Sequence, residues 1–124
     1  MSWIGWIWLT APAPVGATQW HLVASEDQNL QQQFVDLDSI QDLGHGRARV
    51  NSYYLDRRSN SVVKTTYVTD YDCPSRQFRD VVVNAPEKPM DWQPLGPDPL
   101  NRATMEFTCG QVGYRIAPSS QSKN

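Results

Sequence analysis

The stretch VVKTTYVTDYDC, residues 62–73, is the longest strand candidate in the chain and the one that decides its fold. It is rich in Val, Thr and Tyr, which are residue types that strands favour. Successive side chains of a strand point to opposite faces, so alternation divides them into two sets. One face carries Val63, Tyr67, Tyr71 and Cys73, and the other carries Lys64, Thr66, Asp70 and Asp72. The pattern therefore predicts that Cys73 lies on the apolar face, at the end of its strand.

Further strands are predicted on both sides of this stretch. In FVDLDS, Val35 and Leu37 alternate with Asp36 and Asp38, which is the period of a half-buried strand. The strands expected besides 62–73 cover residues 20–25, 33–39, 47–56 and 77–84, with QVGYRI (111–116) as a final short one. The turns between them contain GHG (44–46), RRSNS (57–61) and Pro74-Ser75. Strands that follow one another through short turns favour an antiparallel sheet.

A loop and then a helix are predicted after the last long strand. The segment 86–99 contains five prolines, which lack the backbone donor that a sheet ladder needs. We therefore expect a crossing loop, with Trp92 packed on the sheet as its anchor. Asp98 suits the N-cap of a helix and Pro99 suits its first turn.

The predicted helix has one difficulty, the position of Cys109. Leu100, Ala103, Thr104 and Phe107 share one face of a helix. On an uninterrupted helix Cys109 would lie opposite Leu100. We therefore expect the helix to end near Thr108, with Cys109 directed toward the sheet and Gly110 as the residue that terminates it.

The first 17 residues predict a secretory signal peptide. They carry no charge, they contain an apolar run from Trp3 to Leu9, and they end in the small residues Gly16 and Ala17. The usual positive amino-terminal region is missing, which a start codon assigned too late would explain. The apolar run is too short to span a membrane. We expect residues 1–17 to be the signal, 18–117 the domain and 118–124 a flexible tail.

Export changes the interpretation of the two cysteines. In an oxidising compartment, an even pair in a small domain favours a disulfide, here between Cys73 and Cys109. The fold class that follows is α+β: an antiparallel sheet of five to six strands, with one carboxy-terminal helix packed on one face and tethered by this disulfide.

Composition and motifs argue against several classes of function. The net charge is −2 and the arginines are scattered, so nucleic-acid binding is not expected. A cysteine nucleophile would need a base, and only His21 and His45 are available. The cysteines and histidines match no metal spacing, and DLDSIQD (36–42) fails the calcium-loop template. Asp70 and Asp72 are better explained as a solvated strand face than as a glycosidase pair. We expect no enzyme activity, metal or cofactor.

Arg76 and Arg79 are the remaining candidates for a contact site. They bracket Phe78 after Cys73, and bidentate contacts from them would suit an anionic partner. The alternative is that they pair with Asp72, with Asp80 or with a carbonyl at the turn.

Several short motifs together resemble the surface-adhesin protein E family. These are Trp20, FVDLDSI (34–40), YDCPSRQFR (71–79), WQPLGP (92–97) and Cys109, and they cover about residues 20–109. The resemblance implies a bacterial envelope or secreted domain, in which the Cys73–Cys109 bond ties a helix to an antiparallel sheet. It also implies adhesion to extracellular-matrix and serum proteins such as laminin, vitronectin and plasminogen. Members with a lipid anchor carry an amino-terminal cysteine, whereas no cysteine precedes Cys73 here, so no lipid anchor is expected.

The sequence thus predicts an exported, non-enzymatic binding module, periplasmic or secreted rather than displayed on the cell surface. Its partner would be a host or envelope protein. The alternative is a periplasmic protein of general envelope function, or one that binds a small apolar or anionic ligand between helix and sheet. In that case Trp92, Tyr67 and Tyr71 would line the cleft. The candidate contact residues are accordingly Arg76, Arg79, Trp92, Tyr67 and Tyr71.

Overall fold

The computed structural model describes residues 18–85, 87 and 89–118. The predicted signal peptide, residues 1–17, lies outside the described residues, as does the predicted tail apart from Pro118. Within the described part of the chain, no helix is long and apolar enough to cross a membrane.

The described residues form one antiparallel sheet of seven strands and one α-helix. The strands are β1 (Trp20–Glu26), β2 (Gln31–Asp36), β3 (Gln41–Gly44), β4 (Arg47–Asp56), β5 (Val63–Asp72), β6 (Gln77–Val83) and β7 (Gln93–Pro94). Their order across the sheet is β1-β2-β4-β5-β6-β7, and β3 pairs with β4. The two longest strands, β4 and β5, pair from Arg47 opposite Asp72 to Asp56 opposite Val63. The predicted antiparallel sheet is confirmed, with the short strands β3 and β7 in addition to the five long strands that were expected.

The strand predicted over residues 33–39 ends earlier than expected. β2 stops at Asp36, and Leu37–Ser39 form a 3-10 turn. The Asp36 carboxylate accepts a hydrogen bond from the backbone N–H of Asp38 at 3.0 Å, and the Ser39 hydroxyl donates to the Asp36 carbonyl at 2.8 Å. Such local side-chain bonds compete with a sheet ladder. They turn the chain so that β2 and β3 both pair with β4.

The helix α1 (Pro99–Val112) lies against one face of the sheet, where it contacts β1, β2 and β4. Its start matches the prediction: the Asp98 side chain accepts a hydrogen bond from the Leu100 N–H at 3.0 Å. Its buried residues are Leu100, Thr104, Met105, Thr108 and Cys109. At 100° per residue these positions cover about half of the helix circumference. A face this wide buries both Leu100 and Cys109, although the two point in opposite directions.

The predicted helix end was therefore wrong. The helix continues through Cys109 and Gly110 to Val112, and no strand forms over residues 111–116. A single glycine inside a helix costs about 1 kcal/mol, which packing readily offsets. Gly113 terminates the helix instead, because its φ of 85° is the left-handed conformation of a C-cap and its N–H reaches the Gly110 carbonyl.

The core joins sheet to helix through the disulfide. Its fully buried residues are Val35, Val50, Tyr71, Cys73, Met105 and Cys109. Cys73 and Cys109 are bonded, with their Cα atoms 6.1 Å apart. The prediction that Cys73 faces the apolar side and pairs with Cys109 is confirmed. Closing this loop of 36 residues stabilises the fold by roughly 4 kcal/mol in the chain-entropy model.

Candidate functional site

The sheet has two different faces, which we call the helix face and the helix-free face. Strand alternation decides which side chains each face receives. The helix face carries Val35, Tyr71 and Phe78 together with α1. The helix-free face carries the intervening residues, including two groups that could contact a partner.

The first group on the helix-free face is centred on Asp70. Its carboxylate accepts hydrogen bonds from Arg49 at 2.6 and 3.0 Å and from Arg79 at 3.3 Å. Its side chain is only 1% exposed, so the prediction of a solvated face is wrong at this position. Arg49 and Arg79 stand directly opposite Asp70 on the two neighbouring strands, which is why they enclose it. The hydrogen bond to Asp70 raises the pKa of Arg49.

Trp92 completes this group. The guanidinium carbons of Arg47 and Arg79 lie 4.7 and 4.8 Å from the centre of its ring, within cation–π range. Arg47 also pairs with Asp72 at 3.0 Å. Burial acts to raise the pKa of Asp72, but the hydrogen bonds from Arg47 and Ser75 lower it overall. We call Arg47, Arg49, Asp70, Arg79 and Trp92 the Arg–Trp cluster.

The second group, the aromatic patch, consists of Trp20, Phe34 and Tyr53. The Tyr53 ring meets Trp20 edge to face at 4.6 Å and stacks on Phe34 at 4.8 Å. The Lys64 ammonium lies 4.4 Å from the Tyr53 ring centre. Trp20 and the neighbouring Leu22 are 44% and 42% exposed. The patch thus presents apolar surface to solvent beside the cationic side chain of Lys64.

The helix face contains a cavity of about 290 Å³ between the amino-terminal part of α1 and the sheet. Its lining combines aromatic rings, amides, hydroxyls and two carboxylates: Gln31, Gln33, Ser52, Tyr54, Tyr67, Thr69, Tyr71, Phe78, Asp80, Asp98, Leu100, Asn101 and Thr104. Among the described residues, the lining contains no Lys, Arg or His.

Hydrogen bonds hold the cavity wall in place. The Tyr71 hydroxyl donates to Asn101 at 2.7 Å, which joins β5 to α1, and the Tyr54 hydroxyl donates to Gln31 at 2.9 Å. The Thr69 hydroxyl donates to the Asp80 carboxylate at 2.8 Å.

The carboxylates make the cavity electronegative. Burial raises the pKa of Asp80, and the hydrogen bond from Thr69 only partly offsets this effect. Burial also raises the pKa values of Tyr67 and Tyr71, and the charges of Asp80 and Asp98 raise them further.

Comparison with known proteins connects this architecture to a family. A family model of surface adhesin-E proteins matches residues 20–115, which span every strand and the helix. The chain belongs to the surface adhesin-E family. It is therefore a surface adhesin-like module and an exported or cell-surface protein. No curated protein and no solved structure matches the chain.

The adhesin-E fold places the candidate contact residues in three locations. Tyr67 and Tyr71 line the cavity, whereas Trp92 and Arg79 lie on the helix-free face. Arg76 sits in the turn after Cys73, with a φ of 61°, and donates to the Ala117 carbonyl at 3.3 Å. Arg79 is paired, as one alternative held, but with Asp70 rather than with Asp72 or Asp80.

The main residues that sequence reasoning missed are Arg47, Arg49 and the aromatic patch. A signal for the arginines was present, because Arg47 and Arg49 are two apart in one strand and Asp70 and Asp72 are two apart in the next. Antiparallel pairing places such sets opposite each other. The aromatic patch had no comparable signal, since Trp20, Phe34 and Tyr53 come from three separate strands.

Proposed function

We propose that this adhesin-E domain is a non-enzymatic exported binding module that holds a protein partner on its helix-free face. The observation that carries the proposal is the composition of that face. Trp, Tyr and Arg dominate the energetically important centres of protein interfaces, and here they form the Arg–Trp cluster and the aromatic patch. Family membership supports binding to other proteins. The partner class we propose is an extracellular-matrix or serum protein, reached after secretion.

The arginines indicate the chemistry of the partner. The side chains of Arg47, Arg49 and Arg79 are 48%, 33% and 34% exposed. Each guanidinium has five N–H donors, and the contacts with Asp70 and Asp72 use only some of them. The remaining donors are available to carboxylates of a partner.

The charge balance of the face agrees with an acidic partner. Arg49 and Arg79 share the single carboxylate of Asp70, which leaves one positive charge in excess within that group. Lys64 adds a second positive charge beside the aromatic patch. The carboxylates of Asp36, which stands opposite Trp20 on the same face, and of Glu87, which acts on Arg49, compensate part of this charge. We therefore propose an acidic segment that flanks an apolar residue, with the apolar residue on the aromatic patch.

Preorganisation supports this assignment. Asp70 and Trp92 hold the arginines in one arrangement before a partner arrives, so less side-chain entropy is lost on binding. Catalysis is not part of the proposal, because Cys73 and Cys109 are both in the disulfide and neither is a thiolate nucleophile.

Surface-immobilised laminin, vitronectin and plasminogen provide the test, with the purified domain as analyte in biolayer interferometry. We expect the wild type to bind at least one of them, and Trp20→Ala and Arg79→Gln each to weaken that binding by about tenfold or more. Arg102→Gln, an exposed arginine on the helix, is the matched control and should bind as wild type does. Added salt should weaken binding.

Three results would overturn the proposal. The first is the absence of binding to all three proteins, and the second is binding that neither helix-free-face substitution weakens. The third is a dimer, seen by light scattering, that Trp20→Ala dissociates, since a second copy would then be the occupant of this face.

A further inference from the structure

We propose that the cavity between α1 and the sheet binds a small primary amine in its protonated, ammonium form. The sheet itself separates this cavity from the helix-free face, so the proposal is independent of the protein-binding function. It rests on five observations: the size of the cavity, its hydrogen-bond acceptors, its charge, its aromatic rings and the lack of a salt bridge to Asp80 among the described residues.

The size suits a small molecule. A water molecule occupies roughly 30 Å³ in the liquid, so a volume of about 290 Å³ holds a ligand of about ten non-hydrogen atoms. This volume is at the lower end of typical ligand pockets. The lining comes from rigid elements, namely β2, β4, β5, β6 and the first turns of α1.

Several polar groups of the wall offer acceptors, alongside the amide N–H donors of Gln31 and Asn101. Tyr71 and Tyr54 use their hydroxyl protons inside the wall, toward Asn101 and Gln31. A lone pair on each of these oxygens is therefore available as an acceptor, although the Thr104 side chain also lies within hydrogen-bonding reach of Tyr71. One oxygen of the Asp80 carboxylate, Oδ1, accepts a hydrogen bond from the Thr69 hydroxyl. An ammonium group, which has three N–H donors and no acceptor, complements such a wall.

The charge of the cavity selects a cation over an anion. Asp80 and Asp98 both line it, and among the described residues no cationic side chain does. The positive end of the α1 dipole would favour an anion, but the Asp98 carboxylate caps that end by accepting from the Leu100 N–H at 3.0 Å. This charge distribution disfavours the anionic ligand that the sequence alone left open.

Aromatic rings and the unpaired state of Asp80 complete the argument. Tyr67, Tyr71 and Phe78 line the cavity, and the faces of aromatic rings attract cations. The salt bridges among the described residues do not include Asp80, although its carboxylate is half-buried. Even partial burial of a carboxylate without a cation costs the fold some free energy. A ligand ammonium ion would supply the missing counter-charge.

The test uses three small probes in an NMR titration of the isotope-labelled domain at pH 7: n-butylamine, tetramethylammonium and butyrate. Butylamine should shift the backbone amide signals of Thr69, Asp80 and Asn101 in a saturable way. Tetramethylammonium, a cation without N–H donors, should bind more weakly, and butyrate should not bind. Saturable butyrate binding, no butylamine binding, or tetramethylammonium binding as tight as butylamine would each overturn the proposal.

Two isosteric variants locate the site. Asp80→Asn removes the charge but retains an acceptor for Thr69, and it should weaken butylamine binding by about tenfold or more. Asp98→Asn preserves the helix cap, because Asn is also a good N-cap, and should cause a smaller loss. The control is Glu106→Gln, which removes the same charge from an exposed helix residue outside the cavity lining and should bind like wild type. Equal binding by wild type and a folded Asp80→Asn variant would refute the assignment, as would loss of binding in Glu106→Gln.

Discussion

Gly46 and Pro74 are in close contact where the turn after β3 meets the turn that follows β5. A β-carbon on Gly46 would lie 2.5 Å from Cγ and 2.6 Å from Cδ of the Pro74 ring. The Gly46 carbonyl also accepts a hydrogen bond from the Cys73 N–H at 2.9 Å. The hydrogen bond and the contact with Pro74 therefore position Cys73, which forms the sheet end of the disulfide.

Replacing Gly46 by Ala should destabilise the domain more than the same change at Gly44. Both glycines have left-handed φ angles, 81° at Gly46 and 83° at Gly44. Alanine at either position therefore costs about 1–2 kcal/mol in backbone strain. Only the β-carbon at position 46 meets another group, since nothing lies within 4 Å at position 44. We expect an added cost of about 1–3 kcal/mol from overpacking against Pro74. Urea unfolding measures both variants, and equal losses would contradict the clash.

Removing the disulfide should lower the free energy of unfolding by about 4 kcal/mol, the chain-entropy value for its loop. The variant is Cys73→Ala with Cys109→Ala, and it also loses two buried sulfur atoms. Reduced wild-type protein retains both sulfurs and is the matched control, so it should lose slightly less. Urea unfolding with and without reductant gives both values. A reduced form as stable as the oxidised form would show that the bond does not contribute.

Asp70→Asn should destabilise the domain by about 2 kcal/mol, because it leaves Arg49 and Arg79 without their shared, buried carboxylate. The loss of stability should be smaller than for a fully buried ion pair, because each arginine side chain is about one-third exposed. Asp72→Asn is the control. Its partner Arg47 is 48% exposed, so the loss should stay below about 1 kcal/mol. Similar losses for the two variants in urea unfolding would show that burial of Asp70 carries no extra energy.

Asp80→Asn should stabilise the domain more at pH 7 than at pH 3.5. Burial raises the pKa of Asp80 in the folded state, so the folded protein binds this proton more tightly than the unfolded chain. The stability that Asp80 contributes therefore falls as the pH rises from about 3.9, the unfolded value, through the raised folded value. Asp80 therefore contributes less to stability at pH 7 than at pH 3.5, and Asn, which does not titrate, removes this pH dependence.

Chemical unfolding of wild type and Asp80→Asn at the two pH values gives the difference. The other ionisable groups of the cavity are Tyr67, Tyr71, Tyr54 and Asp98, which both proteins share. An effect of the substitution that does not change with pH would contradict the raised pKa.

Much of the sheet could be predicted because strand period and turn chemistry are local properties. The strand at 62–73, the helix start at Asp98 and the face of Cys73 all followed from residues next to one another. The errors arose where a longer-range feature decided. The sequence could not show that α1 would bury half of its circumference, and a narrower buried face predicts a helix that ends before Cys109. The Asp36 turn ended β2 through side-chain hydrogen bonds that the alternation of Val35 and Leu37 does not reveal.

The sequence by itself determined that Cys73 points to the apolar face and that Cys109 is its partner. Only the tertiary structure decided that Asp70 is buried, that Trp92 lies across the sheet from Tyr67 and Tyr71, and that a cavity opens beside the helix. The physical reason is that alternation specifies the side of a strand to which a residue points. Whether that side is covered, and by which charges, depends on elements that are distant in the chain.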